Sequence, residues 1–271
     1  MDEDRIREYY NKGIEKNRLN LNYFRLEGIR TREIVSRFLN RKGLKIADVG
    51  GGAGFYAFWL QSLGHSVSMI DFSPGNIDLA REHAAEQGIA LTSCQVGDAR
   101  NLPFRDNEFD LVLLLGPLYH LISKEDRIRA LQEAGRVVHP EGVILAAFIS
   151  RYASLLDGLK RDLISDNQFD QILVNDLKTG IHKNDTNNPE YFTTAFFHTP
   201  QEIKDEIMES GLRLREIVAV ESVGWLVDDL SKKMHDEKYW SRLQDLLRLV
   251  EVNSDLIGVS PHIIAIAGKG V

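Results

Sequence analysis

Three carboxylates and a glycine loop are the residues in this chain whose spacing points to chemistry. Asp48, Asp71 and Asp98 fall at or beside the ends of short apolar runs, and the first leads into Gly50-Gly51-Gly52-Ala53-Gly54. Glycines there permit a tight turn and leave bare backbone against which a ligand lies without meeting a Cβ atom. A carboxylate closing the next run, as Asp71 does, stands where it accepts the hydroxyls of a ribose. Asp98, in Val96-Gly97-Asp98-Ala99, follows a third run and falls on the same edge. Three acids so placed are hard to explain as solvated surface, because ligands of open α/β sheets bind along the carboxyl edge of the strands.

The elements that must position them alternate. Strands are predicted over Leu44–Val49, Ser66–Asp71, Leu91–Val96, Phe109–Leu115 and Gly142–Ile149, with most intervening segments long enough for crossover helices. That rhythm implies a parallel sheet covered on both faces. The unbroken Leu111–Leu115 run fits a strand buried on both sides. Ser73-Pro74 predicts a helix start and Gly88 its end, Ser123 with Asp126 a second start, and Thr199-Pro200-Gln201-Glu202 a capping box, with Gly211 closing that helix. Leu212–Ser222 and Pro261–Ala267 are expected as two closing strands around a helix near Lys238–Val250.

Two regions depart from the rhythm. Residues 1–43 predict two helices, with Ile6, Tyr9, Tyr10 and Ile14 on the first and Leu21, Phe24, Val35 and Phe38 on the second. Residues 150–198 hold helical stretches, the polar loop Asn184–Asn188 and an aromatic run from Tyr191 to His198. A connection of that length is usually a lid or a substrate wall. In an extended run Tyr191, Thr193, Ala195 and Phe197 share one side, and Phe192, Thr194, Phe196 and His198 the other.

Composition narrows the class. The chain has 271 residues, 43% apolar and 27% charged, and one cysteine, Cys94. That is an ordinary globular balance with no intrachain disulfide and no multi-cysteine metal site. The net charge of −7, with basic residues interleaved among acids, disfavours nucleic acid as a partner. The charged N-terminus and the broken Phe109–Ile122 run predict neither a signal peptide nor a membrane span, so the expected location is cytoplasmic.

Read together, "DVGGGAG", "MIDFS", "GDARNLPF" and "FDLVLLLGPLYHL", in order and spacing, resemble the class I S-adenosylmethionine-dependent methyltransferases, and "SPHIIAIAGK" is similar to the last strand of that family. The resemblance implies a Rossmann-like, seven-stranded, mostly parallel sheet with helices on both faces. To it are added an N-terminal helical cap (1–43), a cofactor-binding core (44–149), a lid or acceptor insertion (150–198) and a C-terminal completion of the core (199–271). It further implies S-adenosyl-L-methionine as cofactor, S-adenosyl-L-homocysteine as product and no metal. Carried over, Asp48, Gly50 and Gly52 line the methionine half. Asp71, followed by Phe72, holds the ribose. Asp98 meets the adenine amino group beside the Ala99 amide, and the Leu115-Gly116 carbonyl region faces the ammonium. Gly51 departs from the family pattern, which often has a bulkier residue there.

A nicotinamide-binding loop requires G-x-G-x-x-G, and its third glycine falls on Phe55. Acids beside the loop suit a cationic ligand without phosphate. Methyl transfer from a sulfonium depends mainly on alignment, and a base only where the acceptor loses a proton. Candidates are His120 as base, Tyr119 as an orienting group and His198 in the aromatic run. Tyr10 is the preferred aromatic over the sulfonium, with Tyr9, Arg18 and Arg30 as further closing residues and Arg151 and Trp225 as further pocket residues. A small-molecule acceptor is expected. Methylation of RNA or protein, or a non-catalytic binding module, stand as alternatives. Gly116-Pro117-Leu118-Tyr119 lacks the Asn/Asp-Pro-Pro-Tyr/Phe pattern of amino-methylating nucleic-acid enzymes.

Overall fold

The computed structural model describes residues 25–186 and 188–270. Five parallel strands form its centre: β1 (Lys45–Val49), β2 (Ser66–Asp71), β3 (Ser93–Val96), β4 (Phe109–Leu114) and β5 (Val138–Ser150). Their order is β3-β2-β1-β4-β5. Beyond β5 the sheet continues with β9 (His262–Lys269), antiparallel to β5, and then β8 (Leu212–Ala219), antiparallel to β9. These are the seven strands of the expected mostly parallel sheet. Two short strands add to them. β7 (Ala195–His198) pairs in parallel with the tip of β5, Ile149 opposite Phe197 and Ser150 opposite His198, and β6 (Ile181–His182) pairs antiparallel to β7.

Period-two alternation divides the core into two layers. Ala47, Val49, Val112, Leu114, Ile144, Ala146 and Phe148 face one way, onto α4 (Lys124–Val137) and α7 (Pro200–Glu209). Ile46, Leu111, Leu113, Leu145 and Ala147 face the other, onto α1 (Arg25–Ser36), α2 (Phe55–Ser62) and α3 (Pro74–Gln87). The segment after β5 holds α5 (Ala153–Lys160) and α6 (Asn167–Thr179), and α8 (Leu230–Lys233) and α9 (Glu237–Val250) lie between β8 and β9. No helix among the described residues is long and apolar enough to cross a membrane.

The local signals behave as their chemistry requires. Ser73 and Ser123 accept the amides of Asn76 and Asp126 at the starts of α3 and α4, and Thr199 and Glu202 close a full capping box on α7. Gly88 ends α3 in the left-handed conformation.

Two expectations change. β5 begins at Val138 rather than Gly142, because a bulge opposite Phe109–Leu111 lets the chain run on through exposed residues 139–141. The aromatic run is not extended from Tyr191: Pro189–Tyr191 is a 3₁₀ turn, Phe192 has φ 66°, and the strand starts only at Ala195. Of the two expected N-terminal helices, α1 falls within the second; the first, with Tyr9 and Tyr10, lies outside the described residues, as does Arg18.

Candidate functional site

A cavity of about 620 Å³ opens at the carboxyl ends of β1, β2, β3 and β4. Its wall includes Asp48, the whole 50–54 loop, Asp71, Phe72, Asp98, Ala99, Leu115, Tyr119 and His120. All the sequence-predicted cofactor residues within the described chain therefore meet in one place. Tyr10 lies outside the described residues.

The loop is shaped by close approach. Gly50 has φ 74°, and a Cβ there would stand 2.7 Å from Pro117 Cδ. Gly116 answers from the other side, where a Cβ would lie 2.9 Å from the Gly50 carbonyl oxygen. The loop and the β4 exit thus touch backbone to backbone. Gly51 is explained by its neighbours: Met69 Cγ and Asp48 Oδ2 occupy the space a side chain would need, at 2.6 and 2.8 Å. At Gly52, φ is 56° and a Cβ would meet nothing within 4 Å.

Asp48 sits in the middle of the sheet, in register with Met69 on β2 and Leu113 on β4, and is 1% exposed. Neither carboxylate oxygen has a hydrogen-bond partner. Burial, reinforced by the Asp71 charge and opposed by the Ala57 amide, pushes its carboxyl up to about 7. A charged group left so is costly unless something cationic meets it.

Asp71 is differently held. Its Oδ1 accepts the Ser73 amide at 2.8 Å and the Asn76 side-chain amide at 3.0 Å, and its Oδ2 accepts the Gly52 amide at 2.8 Å. Burial raises its carboxyl above the ordinary value against these donors. Oδ2 keeps a second lone pair, enough for one further hydroxyl. Asp98 is engaged by Arg100, whose Nη2 lies 2.7 Å from Oδ2 and whose backbone amide bonds Oδ1 at 2.8 Å. Burial works to raise the Asp98 carboxyl, but Arg100, with Arg129 behind it, holds it below the usual range. Arg100 also reaches Asp126 on α4 at 3.1 Å.

At the other end, Tyr119 is 8% exposed and its hydroxyl donates to the Leu115 carbonyl at 3.3 Å, the oxygen expected to face an ammonium. His120 packs edge-on against Tyr119, with ring centres 4.7 Å apart. Its Nδ1 lies 3.2 Å from the Thr194 carbonyl. A carbonyl only accepts, so Nδ1 carries the proton and the neutral ring has its lone pair on Nε2.

Several predicted residues are elsewhere. His198 is fully buried, does not line the cavity and faces Glu206 at 3.3 Å, so the structure corrects its placement at the site. Alternation along β7 puts His198 with Phe196 on the side away from Ala195 and Phe197, which cluster with Tyr119. Arg30 is also buried, bonded to the Val220 carbonyl and paired with Glu33 and Glu251. Arg151 pairs with Glu202, and Trp225 packs on Leu26 and Leu247. Among the described residues one trio of metal-ligating type, Glu27, Glu221 and His262, gathers outside the cavity. Glu221 spends its oxygens on His262 Nδ1, the His262 amide and Ser260.

Arg32 is among the cavity residues that the sequence reading missed. Arg32, on α1, stacks its guanidinium 4.3 Å over Phe55 and 5.3 Å from the Trp59 ring. It has no ion-pair partner among the described residues, and its Nε is buried without a hydrogen bond. Burial lowers its affinity for its proton, with Tyr56 pulling the other way. The sequence signal was faint: a basic residue in a helix that leads toward a glycine loop.

Comparison with known proteins agrees with this geometry. Residues 47–146 match a family model described as a methyltransferase domain. A ubiquinone biosynthesis O-methyltransferase of Methylocella silvestris is 34% identical over 129 residues, 48% of this chain and 48% of that protein. A probable tRNA methyltransferase 9B of Homo sapiens is 35% identical over 113 residues, 41% of this chain and 23% of that protein. The chain thus spans about half, or less, of the length of these two relatives. Among solved structures, a SAM-dependent methyltransferase of Methanosarcina mazei aligns over 88% of this chain and 97% of its own with a TM-score of 0.60 at 20% identity, a likeness of fold. On its glycine loop, its ordered acids and the match over residues 47–146, the chain carries a methyltransferase domain of the class I S-adenosylmethionine-dependent kind.

Proposed function

We propose that this chain transfers a methyl group from S-adenosylmethionine to a small-molecule acceptor. The observation that carries the reading is a pair of opposite charges in one cavity: the Asp48 carboxylate without a hydrogen-bond partner and the Arg32 guanidinium without an ion-pair partner among the described residues. An ammonium and a carboxylate on one ligand, as on a methionine moiety, answer both. Asp71 Oδ2 then takes a ribose hydroxyl, Gly52 leaves the open backbone face beside it, and Asp98 with the Ala99 amide borders the adenine.

The bound cofactor supplies a methyl group on a sulfonium with a good leaving group attached. This chain's own part is to hold the acceptor in line and to manage its proton. Tyr119 and His120 form the wall nearest the β4 exit, and His120 Nε2 is the base that takes a proton from an acceptor hydroxyl. Residues 150–198 complete the acceptor side, since Thr194 from that segment orients His120. The O-methyltransferase relative favours a small-molecule acceptor; the tRNA methyltransferase relative favours RNA, which the net charge of −7 opposes.

Thermal unfolding with S-adenosylhomocysteine, against NAD as control, tests the cofactor. At about 100 times the dissociation constant a single site stabilises by about 2.7 kcal/mol, which raises the midpoint by several degrees. The shift is expected with adenosylhomocysteine and is expected to vanish in Asp71→Ala. A shift with NAD alone overturns the reading. Binding with no turnover across a broad acceptor panel leaves a non-catalytic module as the better account.

A further inference from the structure

Behind the cavity wall lies a charged cluster that the cofactor does not require. Arg127 on α4 and Glu206 on α7 are each 2% exposed, and His198 at the end of β7 is fully buried. Arg127 Nε and Nη2 donate to the Glu206 carboxylate at 2.6–3.1 Å. His198 Nε2 faces the same carboxylate at 3.3 Å. A buried ion pair of this kind adds little stability over an apolar packing of equal volume, so stability alone is a poor reason for it.

Its outward connections supply a better one. Arg127 Nη1 donates to the Leu121 and Ile122 carbonyls, at 2.8 and 2.7 Å. These residues directly follow His120, and Leu121 is itself in the cavity wall. The His120 ring is tied from the opposite side by the Thr194 carbonyl. Thr194 leads straight into β7, and β7 supplies both His198 and Phe196, over whose ring the Arg127 guanidinium lies at 3.8 Å. One buried cluster therefore bears on two of the contacts that hold His120: the chain that carries it and the carbonyl that bonds its Nδ1.

We propose that Arg127, braced by Glu206, is the positioning residue for His120, setting which ring nitrogen holds the proton and where the other is presented. The role of His120 as base rests on the methyl-transfer reading; its positioning by Arg127 does not. Arg127 makes five hydrogen-bond contacts from a rigid fork, and a lysine ammonium, a single flexible point charge, cannot reproduce them.

The test is Arg127→Lys, read by long-range ¹H–¹⁵N spectra of the histidine rings at alkaline pH, with His120→Asn assigning the signal. Wild type is expected to show His120 with its two nitrogens well separated, as a single Nδ1-protonated tautomer. In Arg127→Lys the two are expected to move toward each other while the thermal shift with adenosylhomocysteine is retained. Glu206→Gln keeps the volume, removes the brace and is expected to move the same signal in the same direction, which decides the matter if the lysine variant fails to fold. With an acceptor in hand, Arg127→Lys lowers kcat about tenfold or more at unchanged KM for S-adenosylmethionine, and adds nothing in a His120→Asn background. A folded Arg127→Lys or Glu206→Gln protein with an unchanged His120 spectrum overturns the proposal. Failure of wild type to bind adenosylhomocysteine refutes the cofactor reading instead and leaves the spectral test standing.

Discussion

Asp48 is a carboxyl held near pH 7 by its surroundings, and both its stability effect and its ligand dependence follow from that one shift. Its folded-state value, about 7, lies above the ordinary 3.8. Between those two values the folded protein binds a proton that the unfolded chain does not, so Asp48 makes the unliganded protein less stable as pH rises from 3.8 toward 7, with no further loss above. Asp48→Asn removes that burden. It is expected to raise the melting temperature of the unliganded protein at pH 8, by about 1 kcal/mol or more in free energy, while weakening adenosylhomocysteine binding. In wild type an ammonium needs the ionised form, so affinity is expected to fall by up to about tenfold per pH unit below 7. Calorimetric titration across that range, in wild type and Asp48→Asn, checks both; a flat wild-type profile removes Asp48 from the cationic subsite. At this scale the acids were legible because each stands where a strand meets the binding edge. Arg32 and Arg127 were not, because helical spacing does not say whether a basic residue meets water, a cavity or a buried carboxylate.

Among the elements, the glycine loop separates two roles that sequence alone merges. Gly50 is required by packing, since a side chain there drives into Pro117, whereas at Gly52 only the backbone conformation asks for glycine and a Cβ would enter open space. Both have positive φ, so an alanine at either carries a conformational cost of about 1 kcal/mol. Gly50→Ala adds the clash and is expected to unfold at a clearly lower temperature. Gly52→Ala is expected to lose little beyond that cost, yet to lose the adenosylhomocysteine shift. Equal melting losses with binding kept in both would mean that the loop does not face the cofactor. Caps at Ser73, Ser123 and Thr199 were readable because each is a local hydrogen bond. The early start of β5 and the bend at Phe192 were not, because a bulge and a left-handed non-glycine residue answer to the neighbouring chain rather than to their own residues.

For the whole molecule, the seven-stranded sheet was legible because its central strands are continuous apolar runs, whereas the docking of β7 on the tip of β5 depends on contacts distant in sequence. The same view bears on the acceptor. A tRNA-binding surface needs lysines and arginines free to displace counterions from phosphates. Here the net charge is −7, and Arg37, Arg41, Arg81, Arg136, Arg161 and Arg248 each pair with a carboxylate of the chain itself. Adenosylhomocysteine, bound by buried groups, is by contrast weakly screened. Its affinity is therefore expected to change by less than about twofold between roughly 50 and 500 mM salt, with no tRNA retained on filters even at the lower concentration. Retention of tRNA that falls steeply with salt would put RNA ahead of a small molecule as the acceptor, because such a slope counts phosphate contacts.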